Sequence, residues 1–113
     1  MKNILITGAG SGLGRALALH YALRGCDVCV ADKDREAGDQ TVELIDQTQG
    51  TAFFEECDIS SQSSVDALVA SLQSRWQSVD VLINNAGVAT AGSLDSESIE
   101  QWQWAIDINL LGQ

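Results

Sequence analysis

The sequence predicts an α/β fold: a parallel sheet, doubly wound, with helices on both faces. Three observations carry this. Short apolar runs alternate with longer stretches of helical periodicity, four times in succession. No proline interrupts the alternation, and no internal repeat replaces it. Four glycines, Gly8, Gly10, Gly12 and Gly14, fall where the first apolar run meets the first helical pattern.

Each element has its own local reason. Asn3–Thr7 is an apolar β run, and Leu13–Arg24 is a helix ended by Gly25, a residue suited to the position after a helix. Asp27–Asp32 reads as a second strand. Asp34–Gln49 reads as a polar helix closed by Gly50, its acids forming a wet face. Thr51–Cys57 is a third strand, only partly buried, because Phe53 and Phe54 are followed by Glu55 and Glu56. Ser60 or Ser61 then caps a helix carrying Val65, Leu68, Val69, Leu72 and Trp76 at helical spacing. Val79–Asn84 is the fourth strand, Gly87–Ser96 a loop, and a last helix runs from about Glu97.

Composition narrows the function. The chain of 113 residues sets one domain as the expectation. Sixteen acids against six Lys and Arg leave a net charge of −10, which repels nucleic acid and anionic membranes. A single nucleotide is a different problem, since helix ends and backbone amides hold phosphates without lysine. No apolar run approaches the ~18 residues of a membrane span. Met1 and Lys2 lead straight into Ile4–Ile6 without a signal peptide. Three cysteines, an odd number, fit a reducing cytoplasm. Cys26 and Cys29 form a C-x-x-C, but within a strand, where positions three apart face opposite ways. They read as small hydrophobes rather than as a redox or metal pair.

The glycines sit where a helix N-terminus offers unpaired N–H groups and partial positive charge. Gly8 suits the tight turn, Gly12 lets backbone approach a diphosphate, and Gly14 allows close helix packing. The spacing is G-x-x-x-G-x-G. Asp32 ends the second strand, where an acidic side chain can accept hydrogen bonds from ribose hydroxyls. Its charge disfavours a 2′-phosphate, so NAD is expected over NADP, although the adjacent Lys33 softens that preference. Arg15 either reaches a phosphate or stands in solvent, and the lone histidine, His20, is read as a packing residue.

Taken together, these residues carry a family resemblance. Thr7-Gly8-Ala9-Gly10-Ser11-Gly12-Leu13-Gly14 resembles the TGxxxGxG motif of the short-chain dehydrogenases/reductases, and Asn84-Asn85-Ala86-Gly87 is similar to their NNAG segment. Asp58-Ile59 resembles the acidic-apolar pair the family sets beside the adenine. Asp107-Ile108-Asn109-Leu110-Leu111-Gly112 resembles the stretch bearing its catalytic asparagine. The resemblance implies a Rossmann-type, three-layer α/β/α sheet of strand order 3-2-1-4, with the ligand crevice between strands one and four. It implies an NAD(P)-dependent oxidoreductase that moves a hydride between nicotinamide and an alcohol or carbonyl substrate. Gly8, Ser11, Gly12, Leu13, Gly14, Asp32, Lys33, Asp58, Ile59, Asn85, Ala86 and Gly87 would serve the cofactor, and Asn109 the proton relay.

The family's serine and its Y-x-x-x-K do not appear. The single tyrosine, Tyr21, lies in the first helix with Gly25 four residues on, and the only lysines are Lys2 and Lys33. The expectation is therefore that residues 1–113 are the N-terminal, cofactor-binding part of one Rossmann domain, inactive alone, with the chemistry downstream. The alternative is a dinucleotide-binding or partner-binding protein without turnover. The final helix shows two apolar stripes, Ile99, Trp102, Ile106 and Leu110, and Trp104, Ile108 and Leu111. With the exposed edge of strand four, they predict a homo-oligomer formed through helix 97–111. An isolated chain that sediments as a monodisperse monomer at micromolar concentration contradicts that expectation.

Overall fold

Residues 2–85 are described by the computed structural model. Branched aliphatic residues lead the apolar runs at the centres of β1 (Asn3–Thr7) and β4 (Val81–Asn84), and Val28 and Val30 do the same in β2 (Asp27–Asp32). Such residues fit a pleated surface. β3 (Thr51–Glu56) completes a sheet of order β3-β2-β1-β4 in which every pairing is parallel. Register aligns Thr7 with Ala31 on one side and with Asn84 on the other. The carboxyl ends of β1, β2 and β4 therefore finish level, and the site forms along that line.

The alternation of side chains along the strands divides the interior into two cores. Leu5, Cys29, Ala31 and Phe53 face α3 (Gln62–Gln73), where they meet Leu68, Val69 and Leu72, with Trp76 just beyond the helix. Ile4, Ile6, Val28 and Val30 face the other way, against Ala18 and Ala22 of α1 (Gly12–Leu23) and Ile45 of α2 (Arg35–Gln47). Three layers result. Cys29 belongs to the first core and Cys26 packs against the second, so the C-x-x-C divides between opposite faces. The expected edge character of β3 holds as well, since it is the outer strand and only Phe53 within it is buried.

Element ends shift by a residue or two from expectation. Asp34 caps α2, its side chain accepting from the Ala37 N–H, and Ser61 rather than Ser60 caps α3 by accepting from Ser64 N–H. Gly25 follows α1 with φ 85°, as a helix-ending glycine should. At the end of α2 the left-handed residue is Gln49, with φ 63°, and not Gly50. Gly50 is needed for a different reason: a Cβ there would lie 2.9 Å from Ile45 Cγ2 and 3.1 Å from Ala22 Cβ. The chain re-enters the sheet too tightly for a side chain. Strand four begins at Val81, while Val79 is buried ahead of it. The acids of α2 are exposed, as expected of a wet face.

Candidate functional site

Strand β1 ends at Thr7, and the chain must turn immediately to start α1. Gly8 takes φ 67° and Gly12 φ 56°, conformations that side chains disfavour. A Cβ at Gly12 would meet nothing within 4 Å, so this position opens onto free space. Gly14 behaves oppositely. A Cβ there would fall 2.1 Å from the Gly8 carbonyl oxygen and 2.7 Å from Asn85 Nδ2. The first turn of α1 thus lies directly against the backbone of the loop.

The loop's peptide units are held one by one. Asn85 Nδ2 donates to the Gly8 carbonyl at 3.1 Å, and the Ala9 N–H donates to the Ala31 carbonyl at 3.2 Å. Thr41 of α2, fully buried, donates its hydroxyl to the Ala9 carbonyl at 2.8 Å. The Gly10 N–H donates to Asp32 Oδ2 at 2.9 Å. Arg15 donates through Nη2 to the Gly10 carbonyl at 2.5 Å and through Nε to Thr41 Oγ1 at 2.9 Å. Behind the loop, the Thr7 hydroxyl donates to Asn84 Oδ1 at 2.8 Å, tying β1 to β4.

Gly8, Gly10, Gly14, Asp32 and Asn85 are therefore joined in one cluster at the carboxyl ends of β1, β2 and β4. Asp32 is pinned a second time, its Oδ1 accepting from the Asp34 N–H at 2.9 Å. A carboxylate has about four lone-pair positions, so both oxygens keep accepting capacity. Ser11 is the N-cap of α1, yet its side chain makes no capping hydrogen bond, and no acid lies in the first turn. Ser11, Gly12 and Leu13 are exposed at the helix mouth, and Leu13 stands 62% exposed.

Asp58 and Ile59 follow β3 close to this line, since the Cys57 N–H donates to the Asp32 carbonyl at 3.0 Å. The Asp58 carboxylate accepts from the Ser60 hydroxyl at 2.6 Å and from its N–H at 2.9 Å. Those two bonds hold its pKa below the usual carboxylate range, with a smaller push from the charge of Lys33. Ile59 packs against the α3-side core. Lys33 is exposed. Ala86, Gly87, Asn109 and the expected helix 97–111 lie outside the described residues.

Arg15 is half-buried rather than solvated, and its Nε and Nη2 donate to the loop and to α2, including the Ala37 carbonyl at 3.2 Å. Thr41 and Gly10 also belong to this hydrogen-bonded cluster, and pattern reading gave neither a role. The only signal for Thr41 was a β-branched hydroxyl residue at the buried position of an otherwise polar helix. Among the described residues, no helix is long and apolar enough to cross a membrane, and no cluster of potential metal ligands forms.

Glycine backbone at a helix mouth beside a strand-end carboxylate brings N–H donors and a charged acceptor together, the two kinds of group that phosphates and sugar hydroxyls bind. The family model for the short chain dehydrogenases matches residues 2–113. The chain is 37% identical over 112 residues to 3beta-hydroxysteroid dehydrogenase 1 of Eggerthella lenta, covering 98% of this chain and 43% of that one. The crystal structure of a hydroxysteroid dehydrogenase from Escherichia coli superposes with a TM-score of 0.71 at 38% identity, over 74% of this chain and 35% of that one. A 7α-hydroxysteroid dehydrogenase complexed with NADH and 7-oxo glycochenodeoxycholic acid is similar too. It gives a TM-score of 0.69 at 38% identity, over 72% of this chain and 32% of that one. The chain thus spans less than half the length of the curated relatives it matches.

Proposed function

Since the chain belongs to the short-chain dehydrogenase family, we propose that residues 1–113 form the dinucleotide-binding part of an oxidoreductase acting on an alcohol or carbonyl substrate. The observation that carries this is the Gly10 N–H to Asp32 Oδ2 bond at 2.9 Å, which joins the glycine loop directly to the strand-end carboxylate. The amides at the mouth of α1, around Ser11, Gly12 and Leu13, would hold the diphosphate, with the helix dipole favouring its charge. Asp32 would hold the adenosine ribose through its remaining lone pairs. Asp58 and Ile59 would flank the adenine, and Asn85, Ala86 and Gly87 would border the cofactor at the end of β4. When bound, the nicotinamide supplies or accepts a hydride.

NAD is the favoured cofactor. Asp32 is oriented by two backbone amides, so it cannot turn from a 2′-phosphate without breaking both. The cation beside it, Lys33, already bears on Asp58. Asn109 would serve a proton relay, and the oligomer would form through helix 97–111.

The test is cofactor titration of the parent and of Asp32→Ala. The expected result is NADH bound more tightly than NADPH by the parent, and a preference lost or reversed in the variant. Loss of the carboxylate's ribose bonds should weaken NADH binding by roughly tenfold. A parent that prefers NADPH refutes the role given to Asp32. Turnover of secondary alcohols by the full-length protein separates the enzyme from a binding protein without activity.

A further inference from the structure

Arg15 does something no motif assigns to it. Three successive peptide units form the loop, and each carbonyl is drawn aside by a different element. Asn85 beyond β4 takes Gly8, Thr41 of α2 takes Ala9, and Arg15 of α1 takes Gly10. These peptide bonds are trans, no cis bond occurring among the described residues, so within each unit the N–H points opposite to the carbonyl. In the first two units that N–H meets an acceptor within the protein: Ala9 N–H meets the Ala31 carbonyl, and Gly10 N–H meets Asp32. In the third, Ser11 N–H has no acceptor among the described residues, and its orientation is fixed by the grip of Arg15 on the Gly10 carbonyl. Resting on the dinucleotide reading above, we propose that Arg15 is a positioning residue: it holds the Gly10 carbonyl back from the helix mouth and so aims the Ser11 N–H at the ligand's diphosphate.

Two physical effects work together. A carbonyl oxygen turned toward a diphosphate repels it, while the N–H of the same unit attracts it. The guanidinium also acts as a planar fork, reaching Gly10, Ala37 and Thr41 at once, which a lysine ammonium cannot reproduce. Through Thr41 the same fork supports the neighbouring Ala9 unit. Arg15 thereby links two loop carbonyls without touching the ligand.

The experiment compares Arg15→Met and Arg15→Lys with the parent in the full chain. NADH binding is followed by fluorescence, and ADP-ribose and adenosine are titrated as competitors. The factor by which ADP-ribose out-competes adenosine reports the diphosphate together with its second ribose, which a merely structural loss would not alter selectively. The expected result is a fall in that factor of roughly tenfold in Arg15→Met, adenosine competition unchanged, and only partial recovery in Arg15→Lys. An unchanged factor in Arg15→Met overturns the proposal, as does full recovery in Arg15→Lys, which would make charge alone responsible. Should Arg15→Met fail to fold, Arg15→Lys decides, with a parental factor as the refuting outcome. A parent that binds neither NADH nor ADP-ribose refutes instead the dinucleotide reading on which this rests.

Discussion

Two glycines about 3 Å of helix rise apart are required for unrelated reasons, and substitution separates them. At Gly14 the obstacle is space, with a methyl group landing 2.1 Å from the Gly8 carbonyl oxygen. At Gly12 the space is open and the obstacle is a φ of 56°. Gly14→Ala should destabilise the fold by roughly 3 kcal/mol, since backbone must move to admit the methyl. Gly12→Ala should cost only about 1 kcal/mol. Urea unfolding of both variants checks the order, and equal losses would contradict it.

The buried thiols give a pH prediction at the same scale. Burial pushes the Cys29 thiol well above its ordinary range, and Cys57 moves the same way for the same main reason. The folded chain therefore keeps these protons to higher pH than the unfolded chain does. Their contribution is complete below the unfolded thiol pKa of about 8.5 and is lost as pH rises through the folded values. Stability should fall as pH is raised from about 8 to about 10, and fall less steeply in Cys29→Ala. Iodoacetamide at mildly alkaline pH should leave Cys29 unmodified until the chain unfolds, as mass spectrometry of the digested protein would reveal.

Among the elements, the three helix starts differ in a way that mutation can read. Asp34 and Ser61 cap α2 and α3 with side-chain bonds, whereas Ser11 makes none at α1. Asp34→Ala and Ser61→Ala should each cost about 1 kcal/mol. Ser11→Ala should leave thermal stability nearly unchanged, because no cap is lost. Strand and helix positions were legible in advance because burial on both faces demands unbroken apolar runs, and Ile4–Ile6 and Val28–Val30 supply them, whereas the sheet order was implied by the family resemblance. The tight turn at Gly8 and the close packing at Gly14 were legible for a related reason: both depend on position in a strand-turn-helix unit. Arg15 and Thr41 were not. Their partners are backbone carbonyls brought near by docking α2 on α1, and a main-chain acceptor leaves no trace in the identity of the residue that carries it. Gly50 was misjudged as a helix terminator because the constraint on it comes from Ile45 and Ala22, and the latter belongs to another element.

At the scale of the whole molecule, the two cores lie on opposite faces of one sheet and the site lies along its edge of strand ends. Ile45→Ala and Leu72→Ala each empty one core, and both side chains are fully buried. Each should cost between about 2 and 5 kcal/mol, by the same denaturation measurement. A ligand that binds only the folded form adds stability by mass action. NADH at a hundredfold excess over its Kd should raise folding stability by roughly 2.7 kcal/mol, seen as a higher unfolding midpoint. No such rise in a chain that binds NADH would mean that the unfolded chain binds it as well.

The grip on the Gly8 carbonyl comes from Asn85, 77 positions along the chain. During synthesis the glycine turn leaves the ribosome early, yet its last restraint arrives only when the fourth strand has been translated and docked. A nascent polypeptide arrested before residue 85 should accordingly hold nucleotide poorly, even with its first two helices already in place.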